Sequence, residues 1–184
     1  EASVLYAGIV VDTKNFAVQT GERTFEAAAY LRRYGADPHA VSQLFKEDDA
    51  SVILRAKIIT EMKKPIPGLA VSVHSGGAQN DRNVSVVVAQ AADELLTMND
   101  IHVSAVLNES DDGVSISARS DGSVNVQTMM EELGGGGHQT VAGVQIKGAK
   151  AEDLIPKIIE MAKEQMKESD SDEGNSAEGR KEVG

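Results

Sequence analysis

The stretch Leu133-Gly134-Gly135-Gly136-Gly137-His138 lies between a predicted helix, Asn125 to Leu133, and a predicted strand, Thr140 to Lys147. Four consecutive glycines have no Cβ atoms, so this backbone can adopt positive φ angles and approach another group closely. Its N–H groups can then converge on an anion, and His138 adds a donor that is neutral or charged near pH 7. The alternative is a helix cap followed by a passive connector. The residues alone leave both interpretations equally open.

The composition indicates one medium-sized domain or two small ones with an aliphatic core. The chain has 184 residues, of which 41% are hydrophobic and 3% are aromatic. It contains no cysteine, which excludes disulfides and thiolate metal sites. No run approaches the ~20 apolar residues of a membrane-spanning helix, and Glu1-Ala2-Ser3 does not resemble a signal peptide. Because a predicted strand begins almost at once, we expect the chain to be a piece of a longer protein.

The charge of the chain limits its ligands. The net charge is −11, which argues against a broad surface for duplex DNA. Residues 164–184 hold seven acidic and three basic residues, which leaves a net charge of −7 on the remainder. An anionic ligand must therefore be held by a local pocket rather than by the overall field. Residues 169–184 lack apolar periodicity and are predicted to form a disordered acidic tail.

Residues 1–63 are predicted to be one domain, the end of a lobe built on a parallel sheet, followed by a linker at 64–68 that contains two prolines and a glycine. Val4 to Val11 is an almost continuous apolar run that predicts a buried strand ending at Asp12. An aspartate at such a strand end either caps a turn or belongs to a site, and the spacing alone favours the cap. Three helices are predicted between Asp12 and the linker.

Residues 69–168 are predicted to be a smaller α/β domain with a mixed sheet, in the order β-α-β-β-α-β-α. Asp111-Asp112-Gly113 indicates a hairpin between two of its strands. In the second of them, strict alternation places Ser115, Ser117 and Arg119 on one face. A guanidinium binds phosphate through paired hydrogen bonds, so Arg119 and the glycine run are candidates for one anion site. The alternative for Arg119 alone is an exposed strand residue.

Several motifs resemble the C-terminal part of DHH-family phosphoesterases. GIVVDT at 8–13 and AAAYLRRYGAD at 27–37 are similar to the end of the DHH domain. ISARS at 116–120, NVQTMMEELGGGGH at 125–138 and VAGVQI at 141–146 are similar to the DHH-associated domain that follows it. With LLTMND at 95–100, these motifs most resemble the bacterial cyclic-di-AMP phosphodiesterases. The LGGGGH element also occurs across the family and in alanyl-tRNA synthetase tails, so it specifies the domain better than the substrate.

The resemblance implies a manganese-dependent phosphodiesterase that linearises cyclic-di-AMP. Asp12 matches the family's last metal-ligating aspartate, which helps to hold two manganese ions. The implied substrate-binding residues are Ser117, Arg119, Gly134, Gly135, Gly136, Gly137 and His138. The family's other ligands, in an H-x-D-x-D motif, a lone Asp and the DHH triplet, do not occur in this chain. One aspartate cannot hold two manganese ions, so we expect this chain mainly to bind the nucleotide and to be inactive by itself.

Three functions stay open. The first is the cyclic-di-AMP phosphodiesterase, anchored in the bacterial membrane, of which this chain is a cytoplasmic fragment without membrane contact; a homodimer is left open. The second is a sibling enzyme that cuts oligoribonucleotides or single-stranded nucleic acid, and its long-substrate form is disfavoured by the negative charge. The third is a non-catalytic nucleic-acid-binding module such as a synthetase tail, which has no use for a metal ligand at Asp12.

Overall fold

The computed structural model describes residues 1–76 and 82–178, and it has the predicted α/β class. The helices are α1 Ala2–Asp12, α2 Glu22–Arg33, α3 Pro38–Gln43, α4 Asp49–Thr60, α5 Arg82–Leu95, α6 Val126–Glu132 and α7 Ala151–Glu178. The strands are β1 Lys63–Ile66, β2 Gly68–Ser75, β3 Ile101–Ser110, β4 Gly113–Ser120, β5 Gly136–His138 and β6 Val141–Lys147. Contacts divide the chain into two units, Glu1–Asp48 and Asp49–Gly184.

The first unit is helical, and the predicted strand at Val4 to Val11 is wrong. These residues belong to α1, which packs against α2 and α3. A short apolar run does not separate a buried strand from a helix that is apolar on every side. The eight residues of this run fit either element, and only the structure shows that the helix also takes in Ala2, Ser3 and Asp12. Phe16, after the helix, stacks on Phe25 of α2.

The second unit contains one six-stranded sheet in the order β1-β2-β3-β4-β6-β5. Strands β2 and β3 are parallel and joined through α5, whereas all other neighbours are antiparallel. The predicted order β-α-β-β-α-β-α is confirmed, with β1 and β5 added at the two edges. Residues of the predicted linker form β1, where Pro65 is tolerated because the strand is at an edge. The unit boundary lies at Asp48, since α4 packs against α5 and β2.

The sheet is covered by helices on both faces. Helices α6 and α7 pack on one face, over a core that includes Leu107, Ile116 and Ile158. Helices α4 and α5 cover the strands β2 and β3 on the other face, around Val88 and Leu95. Two buried serines fix this second layer: the Ser72 hydroxyl donates to the Ile58 carbonyl and the Ser104 hydroxyl to the Ala92 carbonyl, both at 2.6 Å.

Helix α7 continues to Glu178, so the first ten residues of the predicted disordered tail are helical, and 179–184 lie outside the described residues. Helix propagation explains the difference, because extending a formed helix adds one hydrogen bond per residue without a new nucleation step. In the part of the chain that the structure describes, we find no helix with the length and apolar character needed to cross a membrane.

Asn125 is the N-cap of α6, the helix that leads into the glycine run. Its side chain accepts hydrogen bonds from the N–H groups of Gln127 and Thr128. We expect Asn125→Ala to lower the free energy of unfolding by about 1 kcal/mol, the usual effect of removing an N-cap. Urea unfolding measures this change, with the exposed turn variant Asn99→Ala as control. Equal stability of Asn125→Ala and the parent would show that α6 does not depend on this cap.

Candidate functional site

The strand register brings the β4 candidates onto one face with residues of the glycine run. Ser117 lies opposite Gly143, which lies opposite Gly136 of β5. Arg119 is joined to His138 in the same way, through one residue of β6. Residues paired directly across strands point to the same side of a sheet. We call this side of the three strands the polar face; it carries Ser115, Ser117, Arg119, Val141, Gly143, Gln145, Gly136 and His138.

A cleft of about 490 Å³ opens beside this face, between α5 and the glycine run. Its polar lining consists of Ser85, Ser115, Ser117, Gly134, Gly135, Gly143 and Gln145. Three of the predicted substrate-binding residues therefore line the cleft: Ser117, Gly134 and Gly135. Arg119, Gly136, Gly137 and His138 are outside its lining. Arg119, Gly136 and His138 lie on the adjoining polar face, whereas Gly137 pairs with Ala142 and belongs to the opposite face of the sheet.

At three positions of the run, the backbone conformation or the close packing of the chain itself requires a glycine. Gly134 follows α6 with φ +86°, and its N–H donates to the Glu131 carbonyl. A Cβ on Gly135 would collide with the Gly143 carbonyl oxygen. Gly137 has φ +151°, and a Cβ there would collide with the Val141 carbonyl oxygen. These positions end a helix and let β5 approach β6 closely, so the connector interpretation accounts for them.

At Gly136, neither the backbone conformation nor the packing requires a glycine. Its φ is not in the left-handed region, and among the residues that the structure describes, apart from its two chain neighbours, none has a heavy atom within 4 Å of the position that a Cβ would take. By register, that Cβ would project from the polar face, in the row of Gly143 and Ser117. The bare backbone at Gly136 leaves room for a molecule to approach the polar face from outside.

The predicted anion nest is not formed by the first two glycines. The Gly134 N–H donates to the Glu131 carbonyl at 2.9 Å, and the Gly135 N–H donates to the Met130 carbonyl at 2.8 Å. Both donors therefore complete the end of α6. The carbonyl end of a helix also carries partial negative charge, which disfavours a phosphate at this point.

Arg119 is largely buried, and its guanidinium lies next to α5. Its Nε lies 3.3 Å from Asp93 Oδ1, and its Nη1 donates to the Ala118 carbonyl at 3.0 Å. The side chain of Arg119 is 11% exposed and that of Asp93 is 37% exposed, so this ion pair is partly shielded from water. His138 is exposed on the edge strand. Arg119 is therefore a largely buried cation with protein partners, and not the exposed strand residue of the alternative interpretation.

Asp12 is the last residue of α1 and is exposed. The cap is provided by Thr13, whose hydroxyl donates to the Ile9 carbonyl at 2.7 Å and accepts from the Phe16 N–H at 2.9 Å. Interpreting Asp12 as a cap is therefore wrong, since an acid at the negative end of a helix has no stabilising role. Among the residues that the structure describes, no group of three or more His, Cys, Asp or Glu can hold a metal ion. Asp12 and its surroundings alone do not fit a manganese pair.

A second polar row, missed from the sequence, crosses four strands: His74, Asn108, Ser115 and Gln145 pair in register. Asn108 is fully buried, and neither its amide nitrogen nor its amide oxygen has a hydrogen-bond partner within residues 1–76 and 82–178. Burial lowers the pKa of His74, and the charge of Lys57 lowers it further. The signal available in the sequence was Asn108 itself, an amide that directly follows the apolar run Ala105 to Leu107. Ser85 had none, because the pattern did not show which side of α5 faces the cleft.

Comparison with known proteins assigns the chain to a family. The profile of the DHHA1 domain matches residues 71–168, which is more than half of the chain. The chain is 48% identical over 147 residues to the cyclic-di-AMP phosphodiesterase GdpP of Geobacillus thermodenitrificans, with 79% of this chain and 22% of that protein covered. It is 44% identical over 160 residues to the cyclic-di-AMP phosphodiesterase PdeA of Listeria monocytogenes, with 86% and 24% covered. The chain therefore spans less than a quarter of these curated relatives.

A solved structure shows the same fold. The exopolyphosphatase-related protein from Bacteroides fragilis superposes with a TM-score of 0.78, over 92% of this chain and 51% of that chain. The two sequences are 17% identical. At this identity the likeness concerns the path of the backbone alone.

The different roles of Gly135 and Gly136 predict different effects on stability. Gly135→Ala forces β5 away from β6 and should lower the free energy of unfolding by about 1–3 kcal/mol, as overpacking does. Gly136→Ala extends into open space and should stay within about 0.5 kcal/mol of the parent. Chemical denaturation of the two variants provides a matched comparison. Equal losses would mean that β5 tolerates no side chain at either position.

Proposed function

This chain belongs to the DHHA1 domain family, and on that basis we propose that it is the nucleotide-binding part of a phosphodiesterase. In the intact protein, the proposed reaction is hydrolysis of cyclic-di-AMP to linear diadenylate. The single observation that carries the binding role is Gly136, a glycine on the polar face that the fold does not require. The choice of substrate is supported by relatives, at 48% and 44% identity, that are named cyclic-di-AMP phosphodiesterases.

We propose a division of the ligand between two parts of the polar face. The bare backbone at Gly136 lets a flat base or a ribose approach the sheet, and the nearby α6 carbonyl end favours such an uncharged group over a phosphate. Arg119 supplies the positive charge for a phosphate, through a charge-assisted hydrogen bond. Ser115 and Ser117 line the cleft and offer hydroxyls to the sugar or the phosphate. His138, exposed on β5, adds a donor to phosphate or base.

We also propose that the intact enzyme uses two manganese ions and that Asp12 provides one ligand. Bound metal would supply the activation of water and the stabilisation of charge on the phosphate oxygens. The remaining ligands would come from residues outside this chain. Membrane anchoring is likewise proposed for a segment outside this chain.

A short linear oligonucleotide is the second candidate ligand. It offers the same bases and phosphates to the polar face, so the present geometry accepts it as well. Long single-stranded nucleic acid is less suitable, because it needs an extended basic track and this chain has a net charge of −11. The charge argues equally against duplex DNA.

Binding by the chain tests the proposal. Calorimetry should detect cyclic-di-AMP, with weaker binding of cyclic-di-GMP. Arg119→Ala removes a hydrogen bond to a charged group, worth about 1.5–3 kcal/mol, so affinity should fall by roughly 10- to 150-fold. Gly136→Val should weaken binding by steric exclusion and leave the circular dichroism unchanged.

Two results would contradict this assignment. If both variants bind as tightly as the parent, the polar face is not the ligand site. If linear diadenylate or a short oligoribonucleotide binds much more tightly than cyclic-di-AMP, the second candidate ligand is favoured.

The chain alone should not hydrolyse cyclic-di-AMP in the presence of manganese, because the described residues include no metal-binding cluster. Chromatography of the products, against a sample with manganese alone, measures this. Steady turnover above that sample would show that this chain holds a complete catalytic centre.

A further inference from the structure

We propose that Asp93 is a positioning residue for nucleotide binding: from α5 it holds the guanidinium of Arg119 in the orientation that receives the ligand's phosphate. The inference rests on the proposed function, because it requires Arg119 to contact the ligand. It adds a residue on α5 that does not line the cleft. Asp93 would act through Arg119, without itself touching the nucleotide.

A chain of contacts through β3 and α5 connects Asp93 with Arg119. Arg119 lies opposite Ser104 of β3 in the sheet. The Ser104 hydroxyl donates to the carbonyl of Ala92, the residue that precedes Asp93, at 2.6 Å. Both Ser104 and Ala92 are fully buried, at 0% exposure. The strand neighbour of Arg119 thus holds the helix neighbour of Asp93, so the core fixes the distance between the two backbone positions from which the carboxylate and the guanidinium extend.

The contacts of Arg119 leave one of its nitrogens for a ligand. Nε lies 3.3 Å from Asp93 Oδ1, within ion-pair distance but outside hydrogen-bond geometry. Nη1 donates to the Ala118 carbonyl. Nη2 has no hydrogen bond to any residue that the structure describes. Two sides of the planar guanidinium therefore have protein partners, and Nη2 is the nitrogen that we assign to the anion.

Holding Arg119 strengthens binding by lowering its entropic cost. An arginine side chain has many rotamers, and a ligand that must select one of them loses affinity. A carboxylate that already holds the guanidinium removes part of that loss. Asp93 also compensates a charge that is largely buried, because an unpaired cation at 11% exposure would be costly.

The opposite effect is repulsion, in which the Asp93 carboxylate weakens binding of an anionic phosphate. Positioning and repulsion predict different rankings of the Asp93 variants by ligand affinity. Under positioning, Asp93→Asn keeps the shape and an acceptor oxygen, whereas Asp93→Glu keeps the charge and moves it. Under repulsion, Asp93→Asn binds more tightly and Asp93→Glu binds like the parent.

The experiment is a double-mutant cycle on this chain, read by calorimetry with cyclic-di-AMP. We expect Asp93→Ala to bind about tenfold more weakly, Asp93→Glu about five- to tenfold more weakly, and Asp93→Asn within about threefold of the parent. In an Arg119→Ala background, Asp93→Ala should cause no further loss. Glu94→Ala is the matched control, since it removes the same charge from the next residue of α5, where it pairs with Arg55 at 3.1 Å.

Each outcome has one meaning. Binding by Asp93→Glu that equals the parent's, or binding by Asp93→Asn that is more than about threefold tighter than the parent's, overturns the inference while the proposed function stands. An equal loss from Asp93→Ala with and without Arg119 also overturns it. A parent that does not bind cyclic-di-AMP overturns the proposed function and the inference with it. Should Asp93→Ala not fold, by circular dichroism, the Glu and Asn variants carry the test, because both retain a partner for Arg119.

Discussion

The close approach of β5 to β6 is the constraint on which the candidate site depends. Side chains at Gly135 or Gly137 would collide with carbonyl oxygens of β6, so the edge strand β5 joins the sheet only because these residues are glycines. Once β5 is paired, the register carries Gly136 and His138 to the face of Ser117 and Arg119. The run that ends α6 thus also completes the sheet. The structural role of the run and the binding role that we propose for it belong to different glycines, so the two roles do not exclude each other.

The second constraint is the position of α5 above the sheet. The hydrogen bond from Ser104 to Ala92 sets the helix over β2 and β3, and leaves the polar face of β4 and β6 beside it. One helix therefore supplies both core residues and the wall of the cleft. Polar side chains at the margin of this layer, such as Asp93 and Ser85, are placed by packing rather than by loops. Such placement gives a site a defined geometry before any ligand is present.

Local signals predicted most of the second unit. Asp111-Asp112-Gly113 indicated the hairpin, and the alternation in Val114 to Ser120 correctly placed Ser117 and Arg119 on one face. Signals that depend on distant parts of the chain failed. The apolar run at Val4 to Val11 carries no period that separates strand from helix, and α1 is the result. The surroundings of Gly135, Asp93 and Asn108 each include a strand or helix from a distant part of the chain. A single stretch of sequence does not show how close that element lies.

The two edge strands of the sheet, β1 and β5, are unsuited to pairing with a further strand, and this affects how copies of the molecule can associate. One border is β1, four residues with two lysines and a proline that lacks an N–H. The other is β5, three residues of which two are glycine. Charged, proline-containing and very short edges are poor templates for pairing with a further strand. A continuous sheet running through two copies is therefore disfavoured at both edges, which leaves the helices and the faces of the sheet as the more favourable surfaces for association.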